Sequence, residues 1–434
     1  MKLAAPVAMD ALAPRARLDP ALGAQARTDP YWSAMWEGPK SAHWVTRRMA
    51  QRHLDAGGNL SHVPRGTPVE GTDARLRRRH ELGVLAALSM WRTVSAEQMG
   101  AIVGSTSWVG AHNALPAAGS LLFRAGLLQR GLLGSGRDGI PLLLRPDVRG
   151  PFDALSDLLP MRDLLAVTGG IPWASGSQYD RHNLIATELG LRVAQWCPGA
   201  AFVVGESLSR VNLVLHADVG AASSRSADAT VLRKDGLKIA VEITASTGES
   251  AASKIERWAA ALVADTSRSM VVLFVEAAHP DGSGTTSSYL RNKIVNAARS
   301  GIDTVAARVL ERMFVVRWDE WFPSPGKVSP DFATLAVSRL SGEQDASSAP
   351  DAAVRADLLD PSSVPAGAVD VAAAKASFSA AHGLLGVPYA MRNPARAGEL
   401  DAVATALVRR STGLEATPRP PLARPERVRA KVSA

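Results

Sequence analysis

The stretch ADATVLRKDGLKIAVEIT, residues 227–244, is two strand-like runs broken at Lys234-Asp235-Gly236. Lysine, aspartate and glycine in that order make a turn, with glycine free to take positive φ, so the chain is predicted to double back as a hairpin. Leu237, Ile239, Val241 and Ile243 alternate toward a core, which leaves Glu242 and Thr244 together on the other face. Asp228 opens the first strand and Glu242 lies near the end of the second, so the hairpin brings two carboxylates side by side. Such a pair suits a hard divalent cation such as Mg²⁺, which can activate water and offset the charge that builds on an attacked phosphodiester.

Outward from this hairpin the periodicity predicts a helix over 179–196, strands at 201–204, 270–275 and 313–318, and helices at 249–263 and 288–300. That order predicts an α/β domain with a mixed sheet over residues 149–322. Glu188, on the helix before the hairpin, is a candidate third carboxylate for the metal. Upstream, residues 71–148 read as three helices and a hairpin. The first spans 73–92. The second starts at Ser95, whose hydroxyl and Gln98 form a capping box, and ends near Gly104. The third starts around Thr106, resumes at Pro116 and runs to Gly126. Strands at 127–133 and 140–144 flank the turn-rich GSGRDG. Three helices and a hairpin in that order predict a winged helix, with Arg77, Arg78, Arg79, Arg124, Arg130, Arg137 and Arg145 as phosphate contacts. The expected fold class is therefore α/β and multi-domain, a winged-helix domain followed by a restriction-endonuclease-like core.

Low-complexity segments flank these domains. Residues 1–70 read as a partly ordered basic arm with aromatics at Tyr31, Trp32 and Trp36 and a basic patch at Arg47, Arg48 and Arg52. Residues 323–434 read as an Ala/Ser/Pro-rich tail with short helices at 351–359, 368–382 and 397–410 and a basic end, RPPLARPERVRAKVSA.

A chain of 434 residues, 46% hydrophobic and 21% charged, is long enough for two cores and has the composition of a folded protein. Its formal charge of +8 and pI near 9.9 favour polyanionic partners, since lysine and arginine gain affinity by releasing counterions from phosphates. Cys197 is the sole cysteine, which excludes a disulfide framework and a thiolate zinc cage and fits a reducing, cytoplasmic setting. Pro6 and Asp10 interrupt the apolar start before a signal-peptide core forms, and no run reaches the roughly 20 apolar residues of a membrane span. GSGRDG lacks the lysine and hydroxyl of a Walker loop, which leaves it as a hairpin turn.

The carboxylate pair and its spacing resemble the PD-(D/E)xK nuclease superfamily, with Thr244 standing where that motif has its lysine. Lys254, one turn into the next helix, is the candidate substitute, and Lys238, on the same strand face as Glu242, is the other. Together with residues 77–145, with His182 in YDRHNLIATELGLRVA, the Ala227-Asp228-Ala229 corner, Val241-Glu242-Ile243-Thr244, and Lys254 and Trp258 in SKIERWAAAL, the chain resembles the replication-relaxation family of plasmids and other actinobacterial mobile elements. The resemblance covers roughly residues 75–320. It implies DNA as partner, a role in replication or transfer of mobile DNA, and catalytic positions at Asp228, Glu242, Thr244 and Lys254. Replication or transfer proteins and a second copy of the chain are further partners to expect. Three readings stay open: metal-dependent cleavage of DNA; a non-catalytic winged-helix regulator or replication accessory factor with a degenerate nuclease-like core; or a structural adapter that recruits other proteins through its Ala/Pro-rich tail.

Overall fold

The computed structural model describes residues 4–12, 19–33, 42–58, 73–111, 114–132, 141–147, 167, 180–211, 226–244, 250–266, 268–278, 280, 307–340 and 355–364. Helices and mixed sheets together make it an α/β protein of two units. One unit holds the described residues of Met1–Ser33 and Ile185–Ala381, and the other those of Ala34–Leu184. The chain opens with strand β1 (Val7–Ala8), which belongs to the first of these.

The unit of residues 34–184 begins with β2 (His43–Val45) and helix α1 (Arg47–Asp55). There follow α2 (Asp73–Trp91), β3 (Val94–Ser95), α3 (Ala96–Val103), α4 (Ala117–Arg124), β4 (Leu128–Leu132) and β5 (Leu143–Pro146). The strands form an antiparallel sheet in the order β2–β4–β5–β3. The predicted capping box starts α3: Gln98 N–H donates to Ser95 Oγ and Ser95 N–H to Gln98 Oε1, both at 3.1 Å. A box of this kind stabilises the helix start by about 1 kcal/mol, and Gly104, at φ 66°, ends the helix in the left-handed region. The interruption foreseen before Pro116 is real: Thr106–Trp108 is a separate 3₁₀ turn, and Trp108 is wholly buried with its Nε1 donating to His80 Nε2 at 3.1 Å.

In the other unit the described strands are β6 (Ala200–Gly205), β7 (Ala229–Arg233), β8 (Lys238–Thr244), β9 (Met270–Glu276), β10 (Met313–Arg317), β11 (Lys327–Val328), β12 (Ala336–Arg339) and β13 (Arg355–Asp357). Apart from β11, which pairs with β1, they form one sheet in the order β13–β12–β10–β9–β8–β7–β6. Its centre, β8–β9–β10, is parallel, and both flanks are antiparallel. Helix α5 (Asp180–Trp196) precedes β6, and α6 (Ser250–Ala264) makes the crossover from β8 to β9 that parallel strands require. Ile255, Trp258, Ala261 and Leu262 of α6 pack on Ala240, Val272, Phe274 and Val315. Ile239, Val241 and Ile243, on the opposite face of β8, are buried too. The alternation in β8 therefore does not separate core from solvent; both faces of the central strands are covered, as parallel sheets require.

Three sequence expectations need correction. The boundary at residue 322 falls inside the unit, because β12 and β13 extend its sheet and β11 pairs with β1. The helix expected over 351–359 is in part strand β13. Residues 1–70 are not one arm: 4–33 belong with the larger sheet, where Tyr31 is buried against Trp318, whereas β2 joins β4 of the other unit. The expected helices at 288–300, 368–382 and 397–410, Trp36, Arg137 and the basic end lie outside the described residues, as do the side chains of Arg77, Arg78 and Arg79 in α2. No described helix is long and apolar enough to cross a membrane.

Candidate functional site

The β7–β8 turn is tied by its own residues. Gly236 takes φ 102°, Arg233 N–H donates to Leu237 O at 2.8 Å, and the Arg233 guanidinium pairs with Asp235 at 2.7 Å. The hairpin so fixed sets Asp228 opposite the end of β8. Asp228 N–H donates to Val241 O at 2.9 Å, and Asp228 Oδ2 accepts from Ile243 N–H at 2.7 Å. The side chain thus continues the ladder one rung past the strand's end and is held beside Glu242.

Glu242 is 2% exposed and engaged at both oxygens. Lys254 Nζ donates to Oε2 and Trp258 Nε1 to Oε1, each at 2.8 Å. Lys254 and Trp258 stand four residues apart on α6, the spacing that puts two side chains on one helix face. Burial, then the neighbouring Asp228 charge, push the Glu242 carboxyl up from its ordinary 4.5 to about 7 against the pull of Lys254 and Trp258. Burial alone would lower Lys254, but Glu242 and Asp228, with a smaller contribution from Glu206, hold it above its ordinary value, so it is an ammonium at neutral pH. Its side chain keeps 27% exposure, which leaves it open to a ligand.

Thr244 is buried one rung beyond Glu242 and carries no charge; the ammonium at this site comes from the helix, through Lys254. Lys238 lies at the other end of β8, fully buried and lowered to about 8 by burial, with Asp265 opposing, and is not among the groups that hold Glu242. Two acids of this neighbourhood were missed by sequence reasoning. Glu206 follows β6 and acts on Lys254, and Glu276 pairs in register with Thr244 and is fully buried. For Glu276 the signal was present, an acid closing the apolar run MVVLFVE.

Glu188 does not serve as a third metal carboxylate. Arg27 Nη2 and Nε donate to its two oxygens at 2.8 and 3.1 Å, and Arg192 Nε donates at 2.9 Å. Arg192 also pairs with Asp29 at 2.7 Å. Burial would raise Glu188, yet the two guanidiniums outweigh it and hold the carboxyl down to about 2. The carboxylate is consumed by a buried structural network that ties residues 19–33 to α5.

The expected phosphate contacts divide in a similar way. Arg145 is 8% exposed, stacked 4.0 Å from the Trp44 ring, bonded to Gln129 at 2.9 Å and paired with Asp180 at 3.5 Å. Arg130 is 6% exposed, in β4. Buried guanidiniums cannot reach a duplex, so both expectations are corrected. Arg124 is half-buried at the end of α4, its Nε donating to Ser120 O at 3.4 Å.

Among the described residues no cluster of three or more His, Cys, Asp or Glu side chains could hold a metal. The donor set is a carboxylate pair. That still fits Mg²⁺, which keeps several waters and is usually held by one or two carboxylates, and a cation would counter both the burial and the Asp228 charge that raise Glu242. No family model, no curated protein and no solved structure matches the chain.

Proposed function

We propose that the chain is a DNA-binding protein of a plasmid, phage or other mobile element that acts in replication or transfer by metal-dependent phosphodiester cleavage. The reading keeps the resemblance to the replication-relaxation family. Residues 73–147 are taken as a winged helix, because α2, β3, α3, α4, β4 and β5 follow one another with β3 closing onto β5. The larger unit is taken as a PD-(D/E)xK nuclease-like core. What carries this is the lysine: Lys254 Nζ stands 2.8 Å from Glu242 beside Asp228, which supplies from a helix the ammonium that Thr244 cannot.

Asp228 and Glu242 would hold Mg²⁺. When bound, the ion lowers the pKa of a water and offsets charge on the phosphate. Trp258 and Lys254 fix the Glu242 carboxylate, and Lys254 presents its positive charge to the non-bridging oxygens of the scissile phosphate, where negative charge grows in the transition state. The enclosure of Glu242 and the absence of a lysine at Thr244 favour the second reading, a non-catalytic regulator or replication accessory factor on the same scaffold. One assay separates the two. Supercoiled and linear DNA are incubated with Mg²⁺ or Mn²⁺ and either the wild-type chain or Glu242→Ala. Cleavage that needs the metal and is lost in the variant is expected; DNA binding without cleavage in either metal would leave the regulator.

A further inference from the structure

With Arg130 and Arg145 buried, the winged-helix reading lacks a described surface to grip a duplex, and α4 does not supply one. The exposed positions of α4 are Ala117 and Leu121, followed by Ala125, with Arg124 half-buried beside them. Methyl and isobutyl groups offer no donors or acceptors for base edges. Among the described residues of this unit, exposed arginines gather instead on α1.

Helix α1 is held firmly. β2 pairs with β4 at His43↔Leu132, Trp44↔Gly131 and Val45↔Arg130. The Trp44 ring lies against Gly131 so closely that a Cβ there would come within 2.8 Å of it, which reserves the position for glycine. Trp44 Nε1 donates to Asp180 Oδ2 at 2.9 Å. Thr46 then caps the helix, accepting from Met49 N–H at 3.1 Å, and the stem of Arg47 runs alongside Gly126 at the turn between α4 and β4. Ala50 is the one buried residue of α1. Arg47, Arg48 and Arg52 are exposed, and their side chains make no hydrogen bond or ion pair among the described residues. The acid of the helix, Asp55, accepts from Gln51 at 2.9 Å. Arg48 and Arg52 stand four apart on one face, a like-charge pair that weakens a free helix and is relieved by an anion.

We propose that α1 is the phosphate grip of this unit: Arg47, Arg48 and Arg52, carried on the strand that β2 adds to the sheet, contact the backbone of duplex DNA without reading its base sequence. The inference rests on the duplex-binding reading above and assigns it a surface. It commits to nucleic-acid phosphates because the helix offers an array of guanidiniums on a rigid base in a chain of net charge +8, and each guanidinium that neutralises a phosphate releases counterions.

The test is fluorescence anisotropy of the full chain with two short duplexes of unrelated sequence over about 50 to 200 mM salt. Wild type is expected to bind both within about threefold, well inside the gap of about 10³ or more between specific and non-specific sites. Arg47→Gln/Arg48→Gln/Arg52→Gln should lower the slope of log affinity against log salt by about 2 to 3, from about 0.9 for each lost contact. These positions are exposed, and an unchanged far-UV circular dichroism spectrum establishes that the variant folds. An unchanged slope in the triple variant, with wild type binding normally, would overturn the role of α1 while leaving duplex binding intact. Failure of wild type to bind either duplex would overturn both. A strong preference for one duplex would overturn the backbone-only mode. Variant-sensitive capture by phosphatidylserine vesicles, with DNA binding unaffected, would reassign α1 to a membrane surface.

Discussion

Lys254→Met is expected to lower the rate of DNA cleavage by about 10²- to 10³-fold, the usual effect of removing one positioned group that stabilises transition-state charge. Methionine retains most of the apolar stem, so α6 should keep its packing through Ile255, Trp258 and Leu262. The loss should fall on kcat, with DNA affinity little changed, because the proposed contact strengthens only as charge develops on the phosphate. A second signature follows from electrostatics. Lys254 is among the groups that pull Glu242 down, so without it the carboxyl rises further and the acid limb of the pH–rate profile moves to higher pH. Rapid-quench kinetics across pH check both effects. A variant that cuts at the wild-type rate would remove Lys254 from the chemistry.

Glu188→Ala is expected to destabilise the larger unit by about 3 to 5 kcal/mol, the cost of leaving the buried Arg27 guanidinium without its carboxylate and Arg192 with Asp29 alone. The Arg27 and Arg192 side chains beside it are 2% and 0% exposed, so neither guanidinium can turn to water when the carboxylate goes. In a unit of this size the loss corresponds to a fall in Tm on the order of 10 °C. The pH dependence has a definite sign. Glu188 is depressed from 4.5 to about 2, so its stabilising contribution is complete above about 4.5 and fades as pH falls from there toward 2. Denaturant melts at pH 7 and at pH 3 should therefore separate wild type from Glu188→Ala widely at the first and less at the second. Cleavage per folded molecule should be unaltered, which distinguishes this carboxylate from Glu242.

The contrast between these two glutamates shows where sequence reasoning held and where it stopped. The hairpin over 227–244 was legible because its information is local: a turn that needs glycine, strands of period two and an acid at each end. Local chemistry likewise made the Ser95–Gln98 box readable, and the reach of a lysine one turn into α6 could be judged from helix geometry. Glu188 was misassigned because its partners, Arg27 and Asp29 through Arg192, come from a segment more than a hundred residues away that looked like a solvated arm. Arg145 and Arg130 have the spacing of a basic face, but β2 covers β4 and brings Trp44 over Arg145, and nothing in the strands themselves announces that extra strand. The alternation in β8 pointed one face to a core and put Glu242 and Thr244 on the other; that the crossover helix α6 buries the second face too is a property of the topology rather than of the strand.

Whether Asp228 and Glu242 share a cation is reported most directly by the titration of the Glu242 carboxyl, followed by carbon-13 NMR with and without saturating Mg²⁺. In metal-free buffer it should titrate near 7, and with Mg²⁺ it should fall well below that, because a bound dication sets a strong attraction against the burial and the Asp228 repulsion that raise it. A carboxyl that titrates at the same pH in both conditions would contradict a metal centre at this site.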